Sequence, residues 1–173
     1  MANTFELISS VTVGAGGAAY VEFTSIPSTW TDLCLKFSAR STAGYIFDRG
    51  SITFNGTTSG YSWRELAEDS GTVGSSSYSS QSSLFNVTPS VNGSTSTSST
   101  FSNAELYIPN YTSSANKSMS FDWVMENNSS SSFIGMDAGL SNITSAITSI
   151  KLAPTLGTLV QYSTAYLYGV KNA

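Results

Sequence analysis

Histidine is absent from this 173-residue chain, and cysteine occurs once, as Cys34. Without imidazole, neither a Ser–His nor a Cys–His couple can form from the chain's own residues. Transition metals lose their commonest ligand for the same reason, and one thiol does not replace it. A lone cysteine also excludes an internal disulfide. Its setting, TDLCLKF, alternates apolar and polar residues, which suits a small core residue better than a nucleophile. Cys34 nevertheless faces away from the row Leu33, Leu35 and Phe37, so its burial requires that both faces of that strand be covered. Charge is scarce too: Asp, Glu, Lys and Arg make up 10 % of the chain, with a net charge of −4, against a usual ~25 %. The cations Lys36, Arg40, Arg49, Arg64, Lys117, Lys151 and Lys171 are scattered singly. They form no basic stripe that could neutralise a phosphate backbone, which argues against nucleic acid as a partner. No apolar run approaches a membrane span, and the start MANTFELISS has neither the basic nor the apolar part of a secretory signal. The expectation is a protein made in a cytoplasm and soluble there. The Asn-x-Ser/Thr triplets at Asn55, Asn110 and Asn142 then predict no glycans.

Hydrophobic residues at 40 % and aromatics at 12 % exclude a disordered chain. A chain of this length can hide roughly 70 % of its unfolded surface, enough for one domain without disulfides or a structural metal. Short alternating segments rich in Val, Ile, Thr, Tyr, Phe and Trp recur between Gly, Pro, Asn and Ser. FELISSVTV (5–13) and YVEFT (20–24), joined by GAGGAA, read as a hairpin. A proline corner and a strand over 31–40 follow. Further strands fit residues 51–55, 61–67, 82–88, 101–109, 118–126, 131–140, 147–154 and 159–170. Helical periodicity is nearly absent; WRELAED (63–69) could make one turn, with Gly71 as its stop. The expected fold is all-β: an antiparallel, jelly-roll-like β-sandwich of about ten short strands, forming a single domain over 1–173.

The serine-rich stretch from Gly71 to Thr100 contains no charged residue. Leu84, Phe85 and Val87 form an apolar knot within it, which a linker between domains would not carry. The stretch therefore reads as two long polar loops flanking one strand, inside the domain. The C-terminal STAYLYGV loses its alternation, as a strand covered on both faces does, and so reads as an interior strand.

The search for chemistry yields little. Sugar hydrolysis needs two facing carboxyl groups. Glu65, Glu68 and Asp69 lie close in sequence but read as a solvated turn, and Asp32, Glu105, Asp122 and Glu126 read as the polar side of half-buried strands. GAGGAA joins two strands and opens no helix, so it is no dinucleotide fingerprint, and ENNSSSS lacks the spacing of a calcium loop. Trp30, Trp63 and Trp123 could stack on sugar rings, although core packing is the commoner use. No catalytic, cofactor-binding or metal-binding residue is predicted, and no ligand-binding residue can be named.

Three stretches carry a resemblance: FTSIPSTWTDLCLKFSARS (23–41), LYIPNYTSSANKSMSFDWVMENN (106–128) and ITSIKLAPTLGTLVQYSTAYLYGVKNA (147–173). The Ile-Pro before an aromatic-Thr-Asp-Leu strand, the Ile-Pro-Asn-Tyr turn and the terminal Leu-Tyr-Gly-Val resemble small virion structural proteins of tailed bacteriophages, cyanophages among them. With FELISSVTVGAGGAA (5–19) the resemblance spans nearly the whole chain. It implies a non-enzymatic β-sandwich without cofactors, located in the virion after assembly in a bacterial cytoplasm. The implied role is capsid decoration or cement, bound to the major capsid protein on the outer surface of the head shell, commonly as a homotrimer. A tail- or head-fibre module that binds host-surface carbohydrate is the alternative.

Overall fold

A computed structural model describes residues 4–85, 89–129 and 131–171, and among them the only regular elements are strands. In chain order they are β1 (Phe5–Thr12), β2 (Val21–Phe23), β3 (Asp32–Ala39), β4 (Phe47–Phe54), β5 (Tyr61–Asp69) and β6 (Thr72–Gln81). There follow β7 (Pro89–Asn92), β8 (Ser102–Ile108), β9 (Lys117–Met125), β10 (Phe133–Ser141), β11 (Ile150–Pro154) and β12 (Thr164–Val170). An eight-stranded sheet has the order β1-β12-β3-β8-β9-β10-β5-β6, and a four-stranded sheet has the order β2-β11-β4-β7. Every ladder in both is antiparallel. The architecture is β-sandwich-like. One hydrophobic cluster draws Leu33, Leu35, Leu106 and Phe121 from the large sheet together with Val21, Ile52, Phe54 and Leu152 from the small one.

The interior strands follow from alternation. β9 buries Met119, Phe121, Trp123 and Met125 and turns Ser118, Ser120 and Asp122 outward. β12 lies between β1 and β3, as its loss of alternation predicted, with Leu167 opposite Leu35.

The structure corrects three sequence expectations. The segments 5–13 and 20–24 are not a hairpin: β1 pairs with β12 in the large sheet, and β2 pairs with β11 in the small one. The glycine-rich connection carries the chain across the sandwich, and Gly17, at φ 69°, lies against the Leu159 carbonyl where a Cβ would sit 2.9 Å away. Second, of the two readings of this segment the strand over 61–67 holds, extended to Asp69 as β5, and WRELAED makes no helical turn. Third, the first half of the serine stretch is not a loop. Residues 72–81 form β6, joined to β5 by a two-residue turn at Ser70 and Gly71 with φ of 51° and 96°. Positive φ at both central positions marks a type I′ turn, whose twist matches that of paired strands.

The apolar knot ties the two sheets together. Leu84 exchanges backbone hydrogen bonds with Ile52 of β4 at 2.9 and 3.1 Å, and Phe85 stacks on Phe121 of β9 with ring centroids 4.3 Å apart. The expected strand over 82–88 is thus reduced to a bridge at Leu84; Val87 lies outside the described residues. The second half of the stretch folds around a cation. The Arg40 guanidinium donates to the carbonyls of Ser94, Ser96, Thr97 and Thr100 and to the hydroxyls of Ser96 and Thr100, at 2.8–3.2 Å. Serine and threonine are abundant there because their hydroxyls and closely turned carbonyls can converge on one half-buried charge.

Candidate functional site

The most distinctive surface is made by β10, whose alternation is inverted. Its inward row is Phe133, Gly135, Asp137, Gly139 and Ser141, while the larger apolar residues Ile134, Met136 and Leu140 point to solvent. The cause lies in its neighbours. The Trp123 ring of β9 lies over Gly135, where a Cβ would come within 2.4 Å of it, and Phe85 and Leu84 lie over Gly139 at 3.1 and 3.3 Å. Bulk supplied from β9 and residues 84–85 leaves no room for a side chain at 135 and 139, so beyond Phe133 the large apolar residues of β10 lie outside.

Ile134 and Met136 are each 56 % exposed. Across the ladders they meet Leu66 of β5 and half-buried Val124 of β9, and exposed Val73 of β6 lies one strand further out, beyond Glu68. These five residues floor an open concavity of about 540 Å³. Asn103, Glu105, Asp122 and Glu68 line it as well, with Glu68 between Ile134 and Val73 and Asp122 beside Met136. Glu105 is held at 2.7 Å by Lys36, a solvated pair worth at most about 1 kcal/mol. Contiguous exposed apolar surface with a polar rim marks an interaction site on a soluble domain. A second concavity, of about 430 Å³, adjoins it at Leu140, Ala138, Ser62, Arg64 and Ser77.

Beneath the same strand lie a buried and a half-buried carboxyl group. Asp137 and Glu65 are direct cross-strand partners on β10 and β5, a placement that brings Cβ atoms to about 5 Å. Asp137 accepts a hydrogen bond from the Trp123 indole at 3.0 Å, and its other oxygen is buried without a partner. Burial, reinforced by Glu65, pushes the Asp137 carboxyl up to about 8. Glu65 is raised as well, again by burial, with a hydrogen bond from Tyr78 opposing the shift. Neither carboxyl lines either concavity, so the pair does not face a substrate-sized space there.

The residues weighed from sequence are distributed as follows. Glu65, Glu68 and Asp69 lie on a strand rather than a turn, and alternation separates Glu65 and Asp69 from Glu68. Glu68 accepts from the Gly71 amide and Asp69 from the Ser70 hydroxyl, so both serve the hairpin turn. Of the expected polar row, Glu105 and Asp122 are neighbours on the outer face, Glu126 follows the end of β9, and Asp32 departs from it. Asp32 is buried, accepting from the Tyr107 hydroxyl at 2.5 Å and the Asn110 amide at 2.8 Å. Cys34 is fully buried on that outer face, between half-buried Tyr168 and Tyr107 on the flanking strands. Both faces of β3 are therefore covered at this point, and burial pushes the thiol up to about 12. Trp63 and Trp123 are 2 % exposed, and Trp30 packs over Gly169, so none presents an open ring to a sugar. Lys117 is buried too, donating to the Ser113 and Ala115 carbonyls at 2.6 Å. Among the described residues no group of three or more Cys, Asp or Glu could hold a metal ion.

Fold and surface define a class: a sandwich-like all-β protein with one uncovered apolar sheet face. Comparisons of the chain with protein-family models, with curated proteins and with solved structures give no match.

Proposed function

We propose that this chain is a non-enzymatic structural protein of a phage virion, a capsid decoration subunit that docks on the outer surface of the head shell. The observation that carries an assembly role is β10, which turns Ile134, Met136 and Leu140 to solvent. A monomeric sheet protein turns such residues inward, so their outward placement is explained when a partner covers them. The virion assignment rests on the resemblance of residues 5–19, 23–41, 106–128 and 147–173 to phage structural proteins. Scarce charge and the absence of histidine suit a protein whose work is contact rather than turnover.

The test is quantitative. The protein in purified virions should match the major shell protein to within a small factor, and Ile134→Asp with Met136→Asp should abolish binding to undecorated shells without lowering the thermal midpoint. A copy number far below that of the shell protein moves the chain to a fibre or vertex and overturns the decoration reading. Turnover of a host polysaccharide by the purified chain overturns the non-enzymatic one.

A further inference from the structure

We propose that β6 is a self-association edge: two copies of this chain pair β6 with β6, antiparallel about a two-fold axis, and join their large sheets into one. The inference stands independently of the virion reading.

A sandwich of two open sheets has four outer strands, here β1 and β6 of the large sheet and β2 and β7 of the small one. Each outer strand leaves a row of N–H and C=O groups with no ladder partner, a template for pairing unless it is blunted by charge, proline, a bulge or shortness. β1 carries Glu6 and a bulge between Leu7 and Ser9. β2 has three residues, with Glu22 at its centre. β7 has four, begins with Pro89, and its ladder with β4 shifts register at Asp48 and Arg49. Three edges are thus protected, each by at least two of these devices.

β6 has none of these devices over most of its length. It is ten residues long, the longest strand described, and TVGSSSYSSQ holds neither charge nor proline. Seven consecutive residues, Thr72 to Tyr78, pair with Asp69 to Trp63 without interruption. The register shift and the Gln81 side chain, which donates to the Ser79 carbonyl at 2.9 Å, lie at the far end. Thr72 through Ser77 are all exposed.

The composition of β6 selects the occupant. A foreign strand added to an edge is recognised through pockets and charges beside it. Along the exposed run Thr72–Ser77 the side chains are Thr, Val, Gly and Ser, which give a foreign strand no charge to be read by. Such an edge is complementary to itself. A two-fold axis at Ser76 sets Ser75 opposite Ser77, Val73 opposite Ser79 and Gly74 opposite Tyr78, so the one large side chain of the run meets the residue without one. The apolar faces at Leu66, Met136 and Ile134 then lie on one side of a doubled sheet, which presents twice the docking surface to one partner. Antiparallel pairing of identical strands is two-fold by necessity, so the predicted state is a dimer, whereas the phage resemblance implies three copies.

Sedimentation velocity on the full chain, up to about 100 µM, should show a concentration-dependent dimer. Ser75→Lys with Ser77→Lys, both on exposed positions, should weaken that dimer by roughly tenfold or more, with the thermal midpoint extrapolated to the monomer unchanged. Leu7→Lys, on the β1 edge, should leave the dimer intact. A monomer at every concentration, a three-fold mass, a dimer indifferent to the β6 lysines, or one broken by Leu7→Lys would each overturn the proposal.

Discussion

Replacing Asp137 by Asn isolates the energetic cost of the buried carboxyl. In the folded chain this group titrates at about 8 rather than at its ordinary 3.8. Between those values the folded state holds a proton that the unfolded chain has released. Stability is therefore fully present below about pH 4 and declines as the pH rises towards 8. The slope can reach about 1.4 kcal/mol per pH unit, which over the whole window sets an upper bound of about 6 kcal/mol. Structural relaxation and water entry around an ionised Asp137 lower the realised difference, and ~2–3 kcal/mol is expected. In a chain of this size 1 kcal/mol corresponds to roughly 2–4 °C. The carboxamide oxygen of the variant can still accept from Trp123, and its NH₂ group can turn towards Glu65. Thermal unfolding followed by circular dichroism from pH 4 to 9 should give equal midpoints at pH 4. At pH 8 the Asn variant should melt roughly 5–10 °C higher. Parallel curves for the two proteins, or an Asn variant that is less stable at pH 8, would refute the reasoning.

Three further outcomes follow from the same packing. Arg40→Ala removes the charge around which residues 94–100 turn, and should cost ~2–4 kcal/mol in urea unfolding. It should also open a protease site there that the native chain lacks; native cleavage between Gly71 and Thr100 into two independently folded pieces would contradict the assigned role of the serine stretch. Cys34, with its thiol pushed up to about 12, should resist maleimide at pH 8 until the chain is denatured; rapid native labelling would show that the cover formed by Tyr107 and Tyr168 is wrong. Deleting residues 159–173 removes the strand between β1 and β3 and should leave insoluble protein; a soluble, cooperatively melting truncation would count against an interior β12.

What the sequence disclosed, and what it hid, divides along physical lines. β3, β8 and β9 were legible because their large apolar residues alternate and point into one core. β6 was not, because a strand of serine has no period for alternation to reveal; it is held by its turn and by the β5 ladder. Ser70-Gly71 was the available signal, a dipeptide suited to a two-residue hairpin turn. β10 was recognisable as a strand, but alternation alone assigns its faces backwards, since Trp123 and Phe85 fill the inner side from elsewhere. For the same reason Asp137 drew no attention: it reads as an outward polar residue between Met136 and Ala138. The β1–β2 hairpin was misjudged because a glycine-rich join looks the same whether it reverses a chain within one sheet or crosses between two.

The position of β12 has a kinetic consequence. β1 and the outer side of β3 share this one partner, and Phe5 pairs with Val170. On a ribosome adding about 5–20 residues per second, β1 waits roughly 8–30 s for the strand that covers it. During that interval the large sheet is incomplete: β1, an edge strand, lacks its sole ladder partner, and interior β3 lacks one of its two. On the decoration reading, docking by way of the outer face cannot outrun this closure, so shells would receive the subunit only after its synthesis has passed residue 170. A chain with such distant pairings also folds slowly once complete. Decoration would therefore be timed by the subunit's own folding as well as by the readiness of the shell.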